Sequence, residues 1–216
     1  MIKIINEDCL PAMKKMKTNS FDLAVVDPPY NISKFTGTEL GKGGGVLDKR
    51  PINKFDTNWD EEELSEEYFE QLFRVSKNQI VWGGNYYNLP PWRCVLVWDK
   101  MQPFKNFSAV EIAWTSFSDP AKLFKFDNRY GGKIHATQKP VKLYQWIFKE
   151  FAKKGDKILD THLGSASSAI AADLHELEFT GFEISPKYFK LAEERIKFYK
   201  NQIKLKYDKN KNSRRG

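Results

Sequence analysis

Short apolar runs alternate with amphipathic segments along most of the chain. The runs are rich in Ile, Val, Leu and Phe, as buried strands are, whereas the segments repeat hydrophobic side chains every three to four positions, as helices do. The predicted strands cover residues 2–5, 21–26, 79–82, 95–98, 110–115, 157–160 and 178–183, and the predicted helices cover 10–16, 64–76, 141–152, 167–174 and 186–199. This alternation predicts an α/β fold with a mostly parallel sheet.

The length of 216 residues suits one domain, which we place at residues 1–200. Residues 31–59 follow no regular period and contain a glycine cluster, so we expect a long mobile loop there. Residues 201–216 are basic and predict a flexible tail. The chain has no apolar run long enough to span a bilayer and no signal-peptide pattern at its start, so we expect a cytoplasmic protein without membrane contact.

Cysteine usage excludes two classes of small protein. Cys9 and Cys94 are too few for a disulfide framework and too isolated for a zinc site of the CxxC type. No cluster of His, Cys and Asp has the spacing of metal ligands, so no metal is expected.

Charge is unevenly distributed along the sequence. The net charge is +7, and the 121–160 stretch carries ten Lys/Arg against four Asp/Glu. Residues 195–216 carry nine basic residues and one acid, whereas 57–70 carry seven acids and no base. This segregation indicates a polyanionic partner such as nucleic acid. The alternative is that these clusters are only solvated faces and a frayed end.

The segment Asp27-Pro28-Pro29-Tyr30 directly follows the predicted strand 21–26. Prolines fix φ and keep the preceding residue extended, so the segment is stiff and can aim a carboxylate, a carbonyl and a ring at one point. Prolines donate no N–H, and acceptors therefore dominate that point. This favours a substrate that donates, such as an exocyclic amino group, with its face free to stack on the ring.

A second polar segment runs from Asp160 to Ser168, between a predicted strand and a helix of small residues. Its glycine lets a ligand approach the backbone, and the helix start offers free N–H groups. Glu183 ends the next predicted strand and is positioned to accept hydrogen bonds from ribose hydroxyls. The glycine pattern of dinucleotide-binding folds is missing, which excludes a nicotinamide reductase.

Three motifs in one order resemble the amino-methylating DNA methyltransferases that use S-adenosylmethionine. Asp27–Tyr30 resembles their catalytic (Asn/Asp/Ser)-Pro-Pro-(Tyr/Phe/Trp) motif, and Asp160–Ser167 resembles their cofactor turn Asp-Pro-Phe-x-Gly-Ser-Gly-Thr. His135–Pro140 resembles the His-Pro-Thr-Gln-Lys-Pro segment that precedes this turn. With the catalytic motif first, the order is that of the beta group, and the resemblance covers about residues 2–199.

The resemblance implies a Rossmann-like, seven-stranded and circularly permuted sheet. In unpermuted relatives, the strand beside the Glu183-type strand ends in an acid near the adenine of the cofactor. Here residues 2–5 would supply that strand and Asp8 its acid, although Asp8 is equally suited to cap the helix that follows.

The resemblance also implies roles for individual residues. Asp27, Pro28, Pro29 and Tyr30 would form the catalytic site, where Asp27 and the Pro28 carbonyl accept hydrogen bonds from the target amino group and Tyr30 stacks on a flipped base. The residues expected to bind S-adenosylmethionine are Asp8, Cys9, Asp27, Thr137, Lys139, Asp160, Leu163, Gly164, Ser165, Ser167 and Glu183.

The cofactor turn departs from the family pattern at three positions. Thr161 and His162 replace Pro and Phe, and Ala166 replaces a glycine. We expect Ala166 to be tolerated only with a negative φ, and His162 to be a structural turn residue rather than a base. The target-recognition region would be only residues 116–134, so sequence readout would be limited or shared with the 31–59 loop or a partner subunit.

The resemblance implies transfer of a methyl group to the N6 amino group of adenine in double-stranded DNA. Transfer to the N4 amino group of cytosine is the nearest alternative, and Asp27 favours adenine because the family tends to carry Ser there for cytosine. A non-catalytic DNA-binding module is a further alternative. A restriction endonuclease partner or a homodimer would fit the bacterial or phage-encoded enzymes of this type.

Overall fold

The computed structural model describes residues 1–30, 64–102, 108–127, 134 and 138–213, with side chains as far as residue 202. The strands in these ranges are β1 (Ile2–Ile5), β2 (Phe21–Val26), β3 (Ser76–Trp82), β4 (Val95–Asp99), β5 (Val110–Thr115), β6 (Lys122–Lys125), β7 (Lys157–Asp160) and β8 (Glu178–Phe182). The helices are α1 (Cys9–Lys15), α2 (Glu66–Val75), α3 (Val141–Phe151), α4 (Ser167–Leu174) and α5 (Pro186–Ser213), and a short 3-10 helix spans Gly84–Tyr86. The expected 31–59 loop lies outside the described residues.

The strands form one sheet in the order β1-β8-β7-β2-β3-β5-β4-β6. The pairs β1–β8, β8–β7, β7–β2 and β2–β3 are parallel. Strand β5 runs antiparallel to both β3 and β4, and β6 runs parallel to β4. The predicted mostly parallel α/β fold is confirmed. The expected count of seven strands was wrong, because β6 adds an eighth at the sheet edge, inside the region 116–134.

The first strand lies beside the last strand, as the permutation predicts. Ile2 of β1 is opposite Phe179 of β8, and Ile5 is opposite Phe182. The Asn6 side-chain amide also donates a 2.7 Å hydrogen bond to the carbonyl of Glu183. The two ends of the chain therefore build one edge of the sheet together.

Two helical layers cover the sheet. On one face, the apolar sides of α3 and α4 pack with α5 over β7 and β8, burying side chains such as Leu143, Ile147 and Ala192. On the other face, α1 and α2 bury Met13 and Leu72. Each helix has an apolar stripe that only packing against the sheet can remove from water.

Local signals explain where α2 begins. The Ser65 hydroxyl accepts a hydrogen bond from the backbone N–H of Tyr68. Glu66 and Glu67 occupy the first turn and Arg74 the last, as the helix dipole favours. The helix places the Tyr68 ring against the functional edge of the sheet.

Helix α5 continues past the expected domain boundary at residue 200 and ends at Ser213. The backbone of residues 201–213 is thus helical, whereas a separate tail was expected. Across the described ranges, the helices lack the combination of length and apolar character that a bilayer crossing requires.

Candidate active site

Three acids meet at the carboxyl edge of the parallel strands. Asp27 follows β2, Asp160 ends β7 and Glu183 follows β8, and these strands are neighbours in the sheet. Carboxyl ends of parallel strands face the same side, which is where ligands bind in open α/β sheets. The topology thus brings together motifs that are far apart in sequence.

The Asp27 carboxylate is held by two groups. The Tyr30 hydroxyl donates a 2.6 Å hydrogen bond to Oδ1, and the Lys139 ammonium lies 2.5 Å from Oδ2. Burial raises the pKa of Asp27, while the positive charge of Lys139 opposes this rise. These two contacts fix the orientation of the carboxylate, and each of its oxygens keeps a lone pair that can accept a further hydrogen bond.

Lys139 was expected among the cofactor residues, and the structure places its ammonium group within the catalytic motif. Nζ lies 3.0 Å from the Tyr30 hydroxyl and 3.0 Å from Oε2 of Glu111, and the side chain is only 3% exposed. Burial lowers the pKa of Lys139, but Asp27 and Glu111 outweigh it and hold the pKa above its ordinary value. Lys139 therefore stays charged between two carboxylates.

Sequence reasoning missed Glu111. It lies in β5, its Oε1 is 2.7 Å from the Lys100 ammonium, and the two lysines lower its pKa despite burial. The signal was an acid inside an otherwise apolar strand, which is unusual unless the charge is paired.

Sequence reasoning also missed the segment after β3, which supports the catalytic motif. The Tyr87 hydroxyl donates a 2.5 Å hydrogen bond to the Pro29 carbonyl, and Tyr86 stacks on Tyr30 with centroids 5.2 Å apart. Gly83 has a φ of +67°, and a Cβ there would lie 2.2 Å from the Tyr30 ring. Only glycine lets the backbone approach the ring this closely.

A cavity of about 500 Å³ opens beside Asp27. Most of the predicted cofactor residues line it: Asp8, Cys9, Asp27, Lys139, Leu163, Gly164, Ser165, Ser167 and Glu183. Pro29 also lines it, whereas Pro28 and Tyr30 are not among the residues of its wall. Asp160 lies beneath the wall, and Thr137 and His135 fall outside the described residues.

The Glu183 carboxylate organises the turn after β7. Its Oε2 accepts a 2.9 Å hydrogen bond from the Gly164 N–H, and its Oε1 accepts one of 2.9 Å from the Ser185 N–H. Burial raises its pKa, and the two N–H groups oppose this. Glu183 therefore connects the ends of β7 and β8 while facing the cavity.

Asp160 supports the turn from below. Its Oδ1 accepts a hydrogen bond from the His162 N–H at 3.0 Å, and its Oδ2 accepts one from the Ser168 hydroxyl at 2.5 Å. Burial raises the pKa of Asp160 to about 7. Its role in the structure is to hold the turn, because it does not reach the cavity.

The expectation for Ala166 was wrong. Its φ is +61°, in the left-handed region that favours glycine, and its side chain is fully buried. Arg195 donates hydrogen bonds to the Ser165 carbonyl at 2.6 Å and to the Ser167 hydroxyl at 2.9 Å. Surrounding contacts thus hold the turn in a shape that alanine alone would not choose.

Asp8 and Cys9 begin α1 at the cavity wall. The Asp8 carboxylate accepts a 2.9 Å hydrogen bond from the Leu10 N–H, so Asp8 is a helix cap that also faces the cavity. Burial raises the pKa of Cys9 to about 12, which keeps the thiol protonated at neutral pH. Cys9 is therefore a wall residue rather than a nucleophile.

The fold, with Asp27 and the Gly164 turn lining one cavity, is that of the S-adenosylmethionine-dependent methyltransferases. Residues 91–194 match the family profile described as DNA methylase, and over this range the chain is similar to the N6/N4 DNA methylases. The family uses S-adenosylmethionine as its methyl donor.

Curated and solved relatives agree with this assignment. The type II methyltransferase M2.DpnII of Streptococcus pneumoniae is 25% identical over 89% of this chain and 88% of its own length. The M1.HpyAVI–S-adenosylmethionine complex superposes with a TM-score of 0.61 at 17% identity, covering 91% of this chain and 99% of that one. The cytosine-N4-specific PvuII DNA methyltransferase gives 0.58 at 15% identity, covering 93% and 91%. Both structures share the fold of this chain.

Proposed function

We propose that this DNA methyltransferase transfers a methyl group to the exocyclic N6 amino group of adenine in double-stranded DNA, with the target base flipped out of the helix. One observation carries the proposal: Asp27 forms part of the wall of the same cavity that the Gly164 turn and Glu183 line. The amino group and the methyl donor can therefore meet at one point, as direct transfer requires.

The cavity suits S-adenosylmethionine in size and charge. Its volume of about 500 Å³ lies within the range of small-molecule sites. The acids Asp8, Asp27 and Glu183 on its wall favour a ligand that carries a sulfonium cation. The oxygens of Glu183 each retain a lone pair with which to accept hydrogen bonds from ribose hydroxyls.

The catalytic motif would act on the target nitrogen by alignment. S-adenosylmethionine supplies an electrophilic methyl group. Asp27 and the Pro28 carbonyl accept the hydrogens of the amino group, which localises its lone pair on nitrogen and directs that pair at the cavity. Tyr30 and Tyr86 supply stacked rings beside this point.

The nitrogen gains a positive charge in the transfer and must lose a proton. Asp27 is suited to accept that proton, because burial raises its pKa. No covalent intermediate is needed, and the protonated Cys9 thiol offers no nucleophile.

Asp27 at the first motif position favours adenine over cytosine. The alternative, N4 methylation of cytosine, uses the same fold, as the PvuII enzyme shows for its own chain. A non-catalytic DNA-binding module is disfavoured, because Asp27 and Glu183 both retain working geometry. The relatives are named type II methyltransferases, which supports a restriction endonuclease partner for this chain, and dimerisation would supply further recognition surface.

Methylation of a plasmid with labelled S-adenosylmethionine, followed by nucleoside chromatography, tests the proposal. We expect labelled N6-methyl-2′-deoxyadenosine from the wild type and a turnover about 10²–10³-fold lower for Asp27→Asn, with cofactor affinity little changed. Asp22→Asn, at a half-buried carboxylate of β2 that pairs with Lys77 outside the cavity wall, is the matched control. Label in N4-methyl-2′-deoxycytidine would move the assignment to cytosine, and near wild-type turnover of Asp27→Ala would overturn the active-site assignment.

A further inference from the structure

His162 stands where the family motif carries phenylalanine, and it lines the cavity next to Leu163. Its ring meets the Tyr68 ring edge-on, with centroids 5.6 Å apart. Phenylalanine at this position can offer only apolar contact, whereas an imidazole can also offer a hydrogen bond. The question is which nitrogen of the ring carries the proton.

A chain of hydrogen bonds answers this question. The Tyr68 hydroxyl lies 2.6 Å from Oγ1 of Thr161, and Oγ1 lies 2.9 Å from Nδ1 of His162. Tyr68 is 1% exposed and Thr161 is 3% exposed, so water does not reach these groups freely. Thr161 has a single hydroxyl hydrogen, which it can give to only one neighbour.

Three proton arrangements fit these contacts. If Tyr68 and Nδ1 both donated to Oγ1, the Thr161 hydroxyl hydrogen would have no acceptor among the described residues. In the other two arrangements Thr161 donates to one of its neighbours. In the first, Tyr68 donates to Thr161 and Thr161 donates to Nδ1, which leaves the His162 proton on Nε2. In the second, Nδ1 donates to Thr161 and Thr161 donates to Tyr68, which leaves the Tyr68 hydroxyl hydrogen without an acceptor among the described residues. A buried donor without an acceptor is costly, so the first arrangement is preferred.

The ring is neutral at physiological pH, because burial lowers the pKa of His162 to about 4. A neutral ring does not repel a sulfonium cation, as a charged imidazolium would. Within the described residues, Nδ1 has Thr161 as its partner and Nε2 has none. The protonated Nε2 of a cavity-lining residue is thus available to a ligand.

We propose that His162 is a cofactor-binding residue whose Nε2–H donates a hydrogen bond to an acceptor atom of S-adenosylmethionine, and that Thr161 and Tyr68 are positioning residues that fix this tautomer. The proposal rests on the proposed function, since it takes the cavity as the cofactor site. In this chain, the histidine that replaces the phenylalanine of the family motif would thus contribute a hydrogen bond to cofactor binding.

Nitrogen-15 NMR of the ligand-free protein tests the tautomer directly. The chain has three histidines, so the signals are few to assign. We expect wild-type His162 to show a protonated Nε2 and an unprotonated Nδ1, and Thr161→Val to show a mixture of both tautomers. A protonated Nδ1 in the wild type would overturn the proposal.

Calorimetry tests the contact with the cofactor. We expect His162→Phe to weaken S-adenosylmethionine binding about 3- to 10-fold, the contribution of one neutral hydrogen bond. His175→Phe, at a histidine outside the cavity wall, should bind as the wild type does. Unchanged affinity in His162→Phe, together with a wild-type Nε2 signal that S-adenosylmethionine does not shift, would overturn the proposal even if another variant fails to fold.

Titration with methylthioadenosine, which lacks the amino-acid part, identifies the acceptor. A persistent effect of His162→Phe assigns the acceptor to the nucleoside, and loss of the effect assigns it to the amino acid. A wild type that binds S-adenosylmethionine but leaves DNA unmethylated would contradict the proposed function and leave the histidine proposal standing. A wild type that does not bind S-adenosylmethionine would overturn both.

Discussion

The ammonium group of Lys139 lies 2.5 Å from the carboxylate of Asp27, so the segment before α3 completes the catalytic motif after β2. Lys139 stands 109 positions after Tyr30, whose hydroxyl it also contacts. Glu111 pairs with the same ammonium group from β5. The site is therefore built by three elements, in which Lys139 pairs with two carboxylates, and the Lys100 ammonium beside Glu111 supplies the second positive charge that balances them.

Replacing Lys139 by methionine should lower turnover at least tenfold at neutral pH. The variant leaves Asp27 and Glu111 buried side by side without their shared cation, which raises the pKa of Asp27 further. Because the motif needs an ionised Asp27, the acidic limb of the pH–rate profile should move to higher pH. Single-turnover rates measured against pH check this.

The control for this change is Lys142→Met, at an exposed position of α3 one turn away. It should keep both the rate and the profile of the wild type. A Lys139→Met enzyme with an unshifted acidic limb would show that Lys139 does not set the charge of Asp27.

Replacing Glu183 by alanine should weaken S-adenosylmethionine binding by about 1–3 kcal/mol. The loss has two sources, because the carboxylate faces the cavity and also holds the Gly164 N–H of the turn. Calorimetric titration of the folded variant measures it. Glu178→Ala, at an exposed position of β8, the strand that Glu183 follows, should leave the affinity unchanged, and an equal loss in both variants would remove Glu183 from the site.

Two buried groups should oppose each other in the pH dependence of stability. Asp160 has a pKa of about 7 in the folded chain, compared with an ordinary value of 3.8. Between these two pH values the folded state binds more protons than the unfolded state, so the free energy of unfolding falls as pH rises. His162 has a pKa of about 4 against 6.5, so the unfolded state binds more protons and the free energy of unfolding rises with pH across that interval.

The two contributions should nearly cancel in the wild type between pH about 4.5 and about 6.5, where each has a slope of up to about 1.4 kcal/mol per pH unit. Asp160→Asn should therefore gain stability as pH rises, and His162→Phe should lose it. Denaturant unfolding at several pH values checks both signs. Parallel profiles for the two variants would contradict the assigned protonation states.

Replacing Ala166 by glycine should raise the free energy of unfolding by up to about 1 kcal/mol. The left-handed conformation at φ +61° costs alanine about 1–2 kcal/mol, and the greater freedom of glycine in the unfolded chain offsets part of that gain. Ala166→Val should instead destabilise the fold by about 2 kcal/mol, because a β-branched side chain fits this conformation worst. Urea denaturation of both variants measures the difference, and a less stable Ala166→Gly would show that the turn is not strained.

The sequence by itself determined the elements and the two polar motifs. Strands 21–26 and 157–160 have the predicted bounds, as does the helix 167–174, because hydrophobic periodicity and flanking Gly and Pro are local signals. The pairing of β1 with β8 also agrees with the circular permutation that the order of the motifs implied.

Only the tertiary structure decided which distant groups touch. Glu111 looked like one acid in an apolar strand, and its pairing with Lys139 depends on the register of β5 and on where the segment before α3 passes. The φ of Ala166 follows from the bonds of Glu183 and Arg195 around the turn, not from the preference of alanine. Local sequence determines local conformation, whereas burial and charge pairing depend on contacts between distant segments that form only when the strands assemble into the sheet.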